Sequence, residues 1–326
     1  MISLAISDDA FRIRGLFSIA RGSRTHAHVV AVTLTEGEHR GRGECTPYAR
    51  YDESVESVTA QIETVRDALT SGLDREALQG LLPAGAARNA VDCALWDLEA
   101  KRTGKTASQL AGVPAVQPLE TAYTISLDTP DEMARVAYEH RDRPLLKVKL
   151  GGDGDPDRMR AVCGHAGDAK VIVDANEAWS PENLWAWMDL AAELGIALVE
   201  QPLPAGHDTI LADRPHIVPI CADESAHDRK GLAELARLYD VINIKLDKTG
   251  GLTEALALKA EAKAAGLGIF VGCMMGSSLA MAPGTLLAYD ADYVDLDAPL
   301  LLAEDRDPAL EFEGSVLQPP SRALWG

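Results

Sequence analysis

Basic residues are in short supply: 31 Lys and Arg stand against 50 Asp and Glu, a formal net charge of −19 over 326 residues. Nucleic acid and anionic membrane surfaces repel a polyanion, so neither is expected as a partner. A small anionic substrate survives that test, because local lysines or a metal can reverse the sign inside a pocket. Long apolar runs are missing too, and none approaches the length of a membrane span. The start, Met1-Ile-Ser-Leu-Ala-Ile-Ser-Asp-Asp9, has no basic region or long apolar core, so no secretion signal is expected. The cysteines (Cys45, Cys93, Cys163, Cys221, Cys273) are scattered without CxxC spacing, which favours reduced thiols in a cytoplasmic protein. The eight histidines show no metal spacing. Gly151-Gly-Asp-Gly-Asp155 lacks the GxxxxGK[ST] and GxGxxG spacings of phosphate loops and reads as a connector.

What is present is a beat. Short apolar runs, each ending in charge, recur from Leu145 to Asp297. They are Leu145-Leu-Lys-Val-Lys149, Val171-Ile-Val-Asp174, Ala197-Leu-Val-Glu200, Val218-Pro-Ile-Cys-Ala-Asp223 and Val241-Ile-Asn-Ile-Lys245. The charged ends lie 25, 26, 23 and 22 residues apart; Ile269-Phe-Val-Gly272 and Asp295 continue at 27 and 23. That period suits one strand and one helix per repeat. Buried parallel strands read as continuous apolar runs, and a barrel of such units places its chemistry at the strands' carboxyl ends. The first barrel strand is expected over 119–127, with Thr124 near its end. Helices are expected over 130–141, 156–165, 181–194, 228–237, 252–265 and 277–288. Met274, Met275 and Met281 read as core packing.

Before the barrel, residues 1–48 read as β-rich, with a hairpin over 27–45 and a solvated connector over 20–25. Helical stripes follow over 52–70 and 86–102, the second stopped by Gly104. The length fits a barrel plus a smaller domain. The expected division is an α+β capping domain over 1–114 and a barrel over 115–299. The tail, 300–326, is expected to return to the first domain.

Asp174, Glu200 and Asp223 end three successive strands, close enough to converge. Three buried carboxylates repel unless a cation neutralises them. Hard oxygen ligands with no His or Cys among them describe Mg²⁺ better than zinc. Asn176 is either a supporting donor or a turn residue. Lys147 and Lys149 share a strand face, and two adjacent ammonium groups are expected to disfavour each other's charge, freeing one as a base. Lys245 approaches from the opposite side. Base, metal, base is what removal of an α-proton and its return on the other face require.

With Glu200-Gln-Pro, Ala222-Asp-Glu-Ser225 and Thr249-Gly-Gly251, these residues resemble the muconate-lactonising subgroup of the enolase superfamily. Asp295-Leu-Asp297, Arg21-Gly-Ser-Arg24, Gly43-Glu-Cys-Thr-Pro-Tyr48 and Gly272-Cys-Met274 narrow the resemblance to its dipeptide epimerases, and to those acting on L-Ala-D/L-Glu in murein-peptide recycling. The resemblance implies an α/β fold, a (β/α)7β-type modified TIM barrel with an α+β capping domain. It implies Lys149 and Lys245 as bases toward the R- and S-configured centres, and Lys147 steadying the substrate carboxylate. It implies Mg²⁺ on Asp174, Glu200 and Asp223, substrate contacts from Thr124, Cys273, Asp295 and Asp297, and Arg24 paired with the glutamate side chain. Gly276-Ser277 stands where many relatives carry a bulkier or acidic residue, so the pocket is expected to differ there. Two alternatives stay open. One is a cycloisomerase or o-succinylbenzoate synthase-like enzyme, whose substrate has no ammonium for Asp295 and Asp297. The other is a metal-dependent peptide-binding protein without turnover. A homo-oligomer is compatible with either.

Overall fold

A computed structural model describes residues 1–326. Its N-terminal sheet is antiparallel, ordered β1 (Ser3–Ile19), β2 (Gly22–Glu36), β3 (His39–Cys45). β1 and β2 pair from Ser3–Thr35 out to Ile19–Gly22, with a register shift between Arg12 and Phe17. The stretch 20–25 is therefore the tip of a long hairpin and mostly strand, where a solvated connector was expected.

The predicted helix over 52–70 is broken. α1 (Val55–Glu63) begins at a Ser54/Ser57 capping box, and a separate turn, Arg66–Thr70, follows Val65. The break leaves the stripe intact, since Val58, Ile62, Val65 and Leu69 are all buried. α2 (Ala86–Thr103) ends on left-handed Gly104. It lies so close to β3 that a Cβ on Gly43 would stand 2.1 Å from Ala90 O, and one on Gly41 2.3 Å from Ala94 O. Gly43→Ala is therefore expected to destabilise the fold by about 2 kcal/mol or more, the upper range of overpacking penalties. Chemical denaturation reads this directly, and an unchanged midpoint would mean that α2 moves aside freely.

Eight parallel strands follow in sequence order: β4 (Tyr123–Ile125), β5 (Leu145–Lys149), β6 (Lys170–Asp174), β7 (Leu198–Glu200), β8 (Ile220–Ala222), β9 (Val241–Ile244), β10 (Gly268–Val271) and β11 (Tyr293–Val294). Ala122 N donates to Val294 O (2.8 Å), joining the last strand to the first. This is the barrel the sequence resemblance implied. Helices α3 (Pro130–Glu139), α4 (Asp155–Cys163), α5 (Pro181–Glu193), α6 (Leu232–Leu238), α7 (Leu252–Ala264) and α8 (Ser278–Gly284) fill every gap but one. Between β7 and β8 there is only a 3-10 turn, Thr209–Asp213. None of the helices is long and apolar enough to cross a membrane.

The strand expected over 119–127 divides. Leu119–Glu120 pairs antiparallel with Val316–Leu317 of the tail, because Ala122 must already face Val294 to close the barrel. The tail then runs under α2, where Trp325 is buried and donates Nε1 to Cys93 O (3.0 Å).

The sheet domain is stitched to the barrel through buried polar contacts. Arg88 donates to Gly250 O (3.0 Å) and Thr249 O (2.7 Å). Asp247 accepts from Thr46 N (3.0 Å) and Asn89 Nδ2 (2.9 Å). Gly251 leaves no room for a Cβ against Asp92, whose carboxylate accepts from Thr253 N (3.0 Å).

Candidate active site

Register builds the site. Lys149 pairs with Asp174 across β5 and β6, and Asp174 with Glu200 across β6 and β7, so all three stand at one level of the barrel. Cys221 partners Glu200, which carries Asp223 two residues further up. Lys245 follows the last residue of β9. All of these side chains, with Lys147, are buried. The alternation expected for Lys147 and Lys149 holds, and both point into the barrel.

One oxygen from each of Asp174, Glu200 and Asp223 lies within 4.8 Å of the others. The carboxylates are ion-paired with the lysines. Lys149 Nζ is 2.6 Å from Asp174 Oδ2, and Lys245 Nζ is 2.6 Å from Asp223 Oδ2. Lys147 Nζ reaches Asp295 Oδ2 (2.8 Å), Glu200 Oε2 (2.9 Å) and Asp174 Oδ2 (3.6 Å). The Glu200 contact is an ion pair without hydrogen-bond geometry, leaving Oε2 a buried acceptor with no donor.

Of the two neighbouring ammonium groups expected to weaken each other's charge, Lys147 does the opposite, and Lys245 across the barrel behaves like it. Burial disfavours their charge, but for Lys147 the facing Asp295, Glu200 and Asp174 outweigh it. For Lys245 the facing Asp223 and Glu200 do the same, and both lysines are held well above the usual lysine range. Burial, reinforced by Asp174, pushes Glu200 up. Asp223 is held well below the usual carboxylate range, since Lys245 and Lys248 outweigh its burial. Three buried hard oxygen donors, one without a hydrogen, fit a divalent cation, and such a cation would compete for the oxygens that now hold Lys149 and Lys245.

On the far wall, Asp297 Oδ2 accepts from Thr124 N (2.6 Å), and Thr124 Oγ1 lies 3.5 Å from Asp295 Oδ1. Burial and the adjacent charge of Asp295 push Asp297 up to about 8. The nearby Lys147 outweighs burial at Asp295 and keeps it low.

A single cleft opens above these groups. Lys149, Asp223, Lys245, Cys273 and Arg24 all line it, with Phe17, Ile19 and Arg21 of the hairpin. Arg24 has no carboxylate partner; its guanidinium sits 5.1 Å from the Tyr48 ring centre. Of the three methionines expected as core, Met281 is buried there, while Met274 and Met275 follow β10 into the barrel mouth and line the cleft, Met275 also packing on the core. Gly276 and Ser277, the departure from many relatives, are not among the residues lining the cleft. Ser277 donates from N and Oγ to Glu44 (2.7 and 2.5 Å), and Gly276 packs on Thr46 and Glu44 of the capping domain.

Several participants went unassigned in the sequence. Lys248 donates to Asp223 Oδ1 and O (both 2.5 Å), and Asn243 Nδ2 to Glu200 Oε1 (2.7 Å). The Lys-x-x-Lys spacing of 245 and 248 was the available signal, one helical turn past the strand. Asn176 does both things weighed for it. It adopts φ 47° in the turn, its N donates to Asp174 Oδ1 (3.0 Å), and its Nδ2 lies 3.5 Å from Glu224 Oε1. Glu177 and Gln201 are also left-handed (φ 67° and 35°). Strain of about 1–3 kcal/mol per residue thus follows two of the three clustered acids.

Residues 131–323 match the enolase C-terminal domain-like family, and residues 1–112 the N-terminal domain of the mandelate racemase / muconate lactonizing enzyme family. The chain is 48% identical over 314 residues to L-Ala-D/L-Glu epimerase of Escherichia coli (strain K12), covering 96% of this chain and 98% of the relative. It is 42% identical over 300 residues to N-acetyl-D-glutamate racemase of Pseudoalteromonas sp., covering 91% and 95%. Among solved structures it resembles an enolase family member from Agrobacterium tumefaciens with homology to dipeptide epimerases, which holds sodium and L-Ala-L-Glu with an ordered loop. The TM-score is 0.98 at 55% identity, over 100% of both chains. With both family models and these relatives spanning nearly its whole length, the chain belongs to the mandelate racemase / muconate lactonizing enzyme family of the enolase superfamily, on its dipeptide-epimerase branch.

Proposed function

We propose that this protein inverts the α-carbon of the C-terminal residue of dipeptides, with L-Ala-D-Glu and L-Ala-L-Glu as its substrates. The observation that carries the reading is one cleft bordered by Lys149 from β5 and Lys245 beyond β9, with the acidic cluster below and an unpaired arginine at the rim. Arg24 grips the glutamate side-chain carboxylate, a task suited to a planar guanidinium. Asp295, Asp297 and Thr124 receive the free α-ammonium, and Cys273 lines the wall beside it. Lys147 steadies the α-carboxylate from beneath. Lys149 and Lys245 move the α-proton, one removing it and the other returning one on the opposite face. Mg²⁺ held by Asp174, Glu200 and Asp223 would supply the positive charge that makes that proton acidic. Incubation with L-Ala-L-Glu in D₂O tests the reading: deuterium appears at the glutamate α-carbon as the D-epimer accumulates, and its absence would sink the proposal.

Arg24→Met is expected to lower kcat/KM for L-Ala-L-Glu at least ~10-fold more than for L-Ala-L-Leu, the scale of a lost charged hydrogen bond. Equal losses would remove Arg24 from the recognition of acidic side chains.

A second reading, racemisation of an N-acylated glutamate, is favoured by the 42% identity to N-acetyl-D-glutamate racemase. Asp297 separates the two. At pH 7 its carboxyl, raised to about 8, carries its proton, and an arriving ammonium favours the charged form. Binding of L-Ala-L-Glu is therefore expected to release up to one proton at pH 7 and to take protons up at pH 9, where Asp297 is already ionised and the free peptide's amine has lost its proton. Calorimetry in buffers of different ionisation enthalpy reads that number. An N-acyl substrate, having no ammonium, releases none.

The reading extends to murein-peptide recycling in the cytoplasm. Its support is the likeness to the E. coli enzyme and five cysteines without a disulfide.

A further inference from the structure

The hairpin tip carries two arginines that behave differently. Arg21 commits both terminal nitrogens of its guanidinium. Nη1 donates to Asn176 O (3.0 Å) and Glu177 Oε2 (3.2 Å), and Nη2 to Glu224 Oε1 (2.6 Å) and Tyr48 OH (3.1 Å). The first three acceptors belong to loops above β6 and β8, so Arg21 fastens the capping hairpin to the barrel mouth. These loops are themselves braced, since Arg50 pairs with both oxygens of Glu177 (2.9 Å each).

Tyr48 is pinned at two ends. Its hydroxyl is held by Arg21, and its backbone N donates to Glu53 Oε2 (3.1 Å). The ring between them is a shelf whose angle those two bonds determine, and Arg24 stands over that ring. A cation over a tyrosine face is attracted electrostatically, so the ring sets where the guanidinium rests. Arg24 has no other polar partner, and it lines the cleft with Lys149 and Lys245.

We propose that Arg21 and Tyr48 are positioning residues for acidic side chains: Arg21 anchors the hairpin and the Tyr48 hydroxyl, and the Tyr48 ring aims Arg24 at the substrate. This relay rests on the dipeptide-epimerase reading above and names the residues that would set its preference for glutamate.

The experiment measures kcat and KM by deuterium uptake from L-Ala-L-Glu and L-Ala-L-Leu. Arg21→Met lowers the Glu-over-Leu preference at least about 10-fold, through KM for the acidic dipeptide, with kcat within about 3-fold of the parent. Tyr48→Leu does the same, and Arg21→Lys restores part of the preference. In an Arg24→Met background, Arg21→Met changes the preference no further, the non-additivity expected of residues acting through one another. Equal losses for both dipeptides in Arg21→Met would overturn the relay and leave a structural role. So would a further fall in preference in the Arg24→Met background. If the parent exchanges neither dipeptide, the functional reading fails and the relay with it; exchange with unchanged preference in the variants sinks the relay alone.

Discussion

Lys245→Ala is expected to slow epimerisation of L-Ala-L-Glu at least ~10³-fold, within the range for loss of a positioned proton-transfer group, and Lys149→Ala to do the same. The argument is geometric. β5 and β9 lie four strands apart in an eight-stranded barrel, and each carries one of the two lysines into the same cleft. Inversion needs a group on each face of the planar carbon, and neither lysine reaches both. The variants should differ in what they keep. Without Lys149, Lys245 still exchanges the proton of L-Ala-L-Glu with solvent but cannot deliver one to the other face. Without Lys245, the surviving exchange is that of L-Ala-D-Glu. NMR of each epimer in D₂O reads both rates. A variant that epimerises near the parent rate, or two variants keeping the same epimer's exchange, would end the two-base assignment.

Glu200→Gln is expected to weaken Mg²⁺ binding by more than ~100-fold, since even groups that only orient a metal ligand cost about 10–100-fold. Glu200 is the acid to choose. Asp174 and Asp223 each accept a hydrogen bond from an ammonium at 2.6 Å, whereas Glu200 Oε2 has Lys147 at 2.9 Å without hydrogen-bond geometry and belongs to the acid that burial and Asp174 push toward protonation. A cation relieves that position most. Calorimetric titration with Mg²⁺ alone measures the affinity without reference to turnover, and the amide keeps the shape, so melting temperature serves as a control. Chelation of the parent should abolish exchange, and added Mg²⁺ should restore it. Parent-like affinity in Glu200→Gln would place the ion elsewhere.

The barrel and its acids were legible because a buried parallel strand leaves few choices. Each run from Leu145 to Lys245 is apolar until its last residues, so the charge that ends it has to face the mouth. Register then did the rest, since Lys149, Asp174 and Glu200 are direct cross-strand partners. The charge held on Lys147 is not legible in the sequence. It depends on which carboxylate each ammonium meets, and sequence spacing set Lys147 beside Lys149 but not beside Asp295. The docking of Arg21 is hidden for a related reason. A polar, glycine-bearing loop looks the same whether it is solvated or docked, and only the long pairing of β1 with β2 carries its tip to Glu224. Glu120 and Ala122 show how closure overrides propensity: two residues apart, they serve different sheets.

The seam between the capping sheet and the barrel has a bearing on how a peptide arrives. At Gly250 and Gly251 the two halves touch with no space for a methyl group, and the side chains of Arg88 and Asp247 bind main-chain groups across it. Such a joint does not swing as a jaw would. The hairpin tip beside the cleft is secured differently, by the grip of one arginine on Glu224 and its neighbours rather than by close backbone packing.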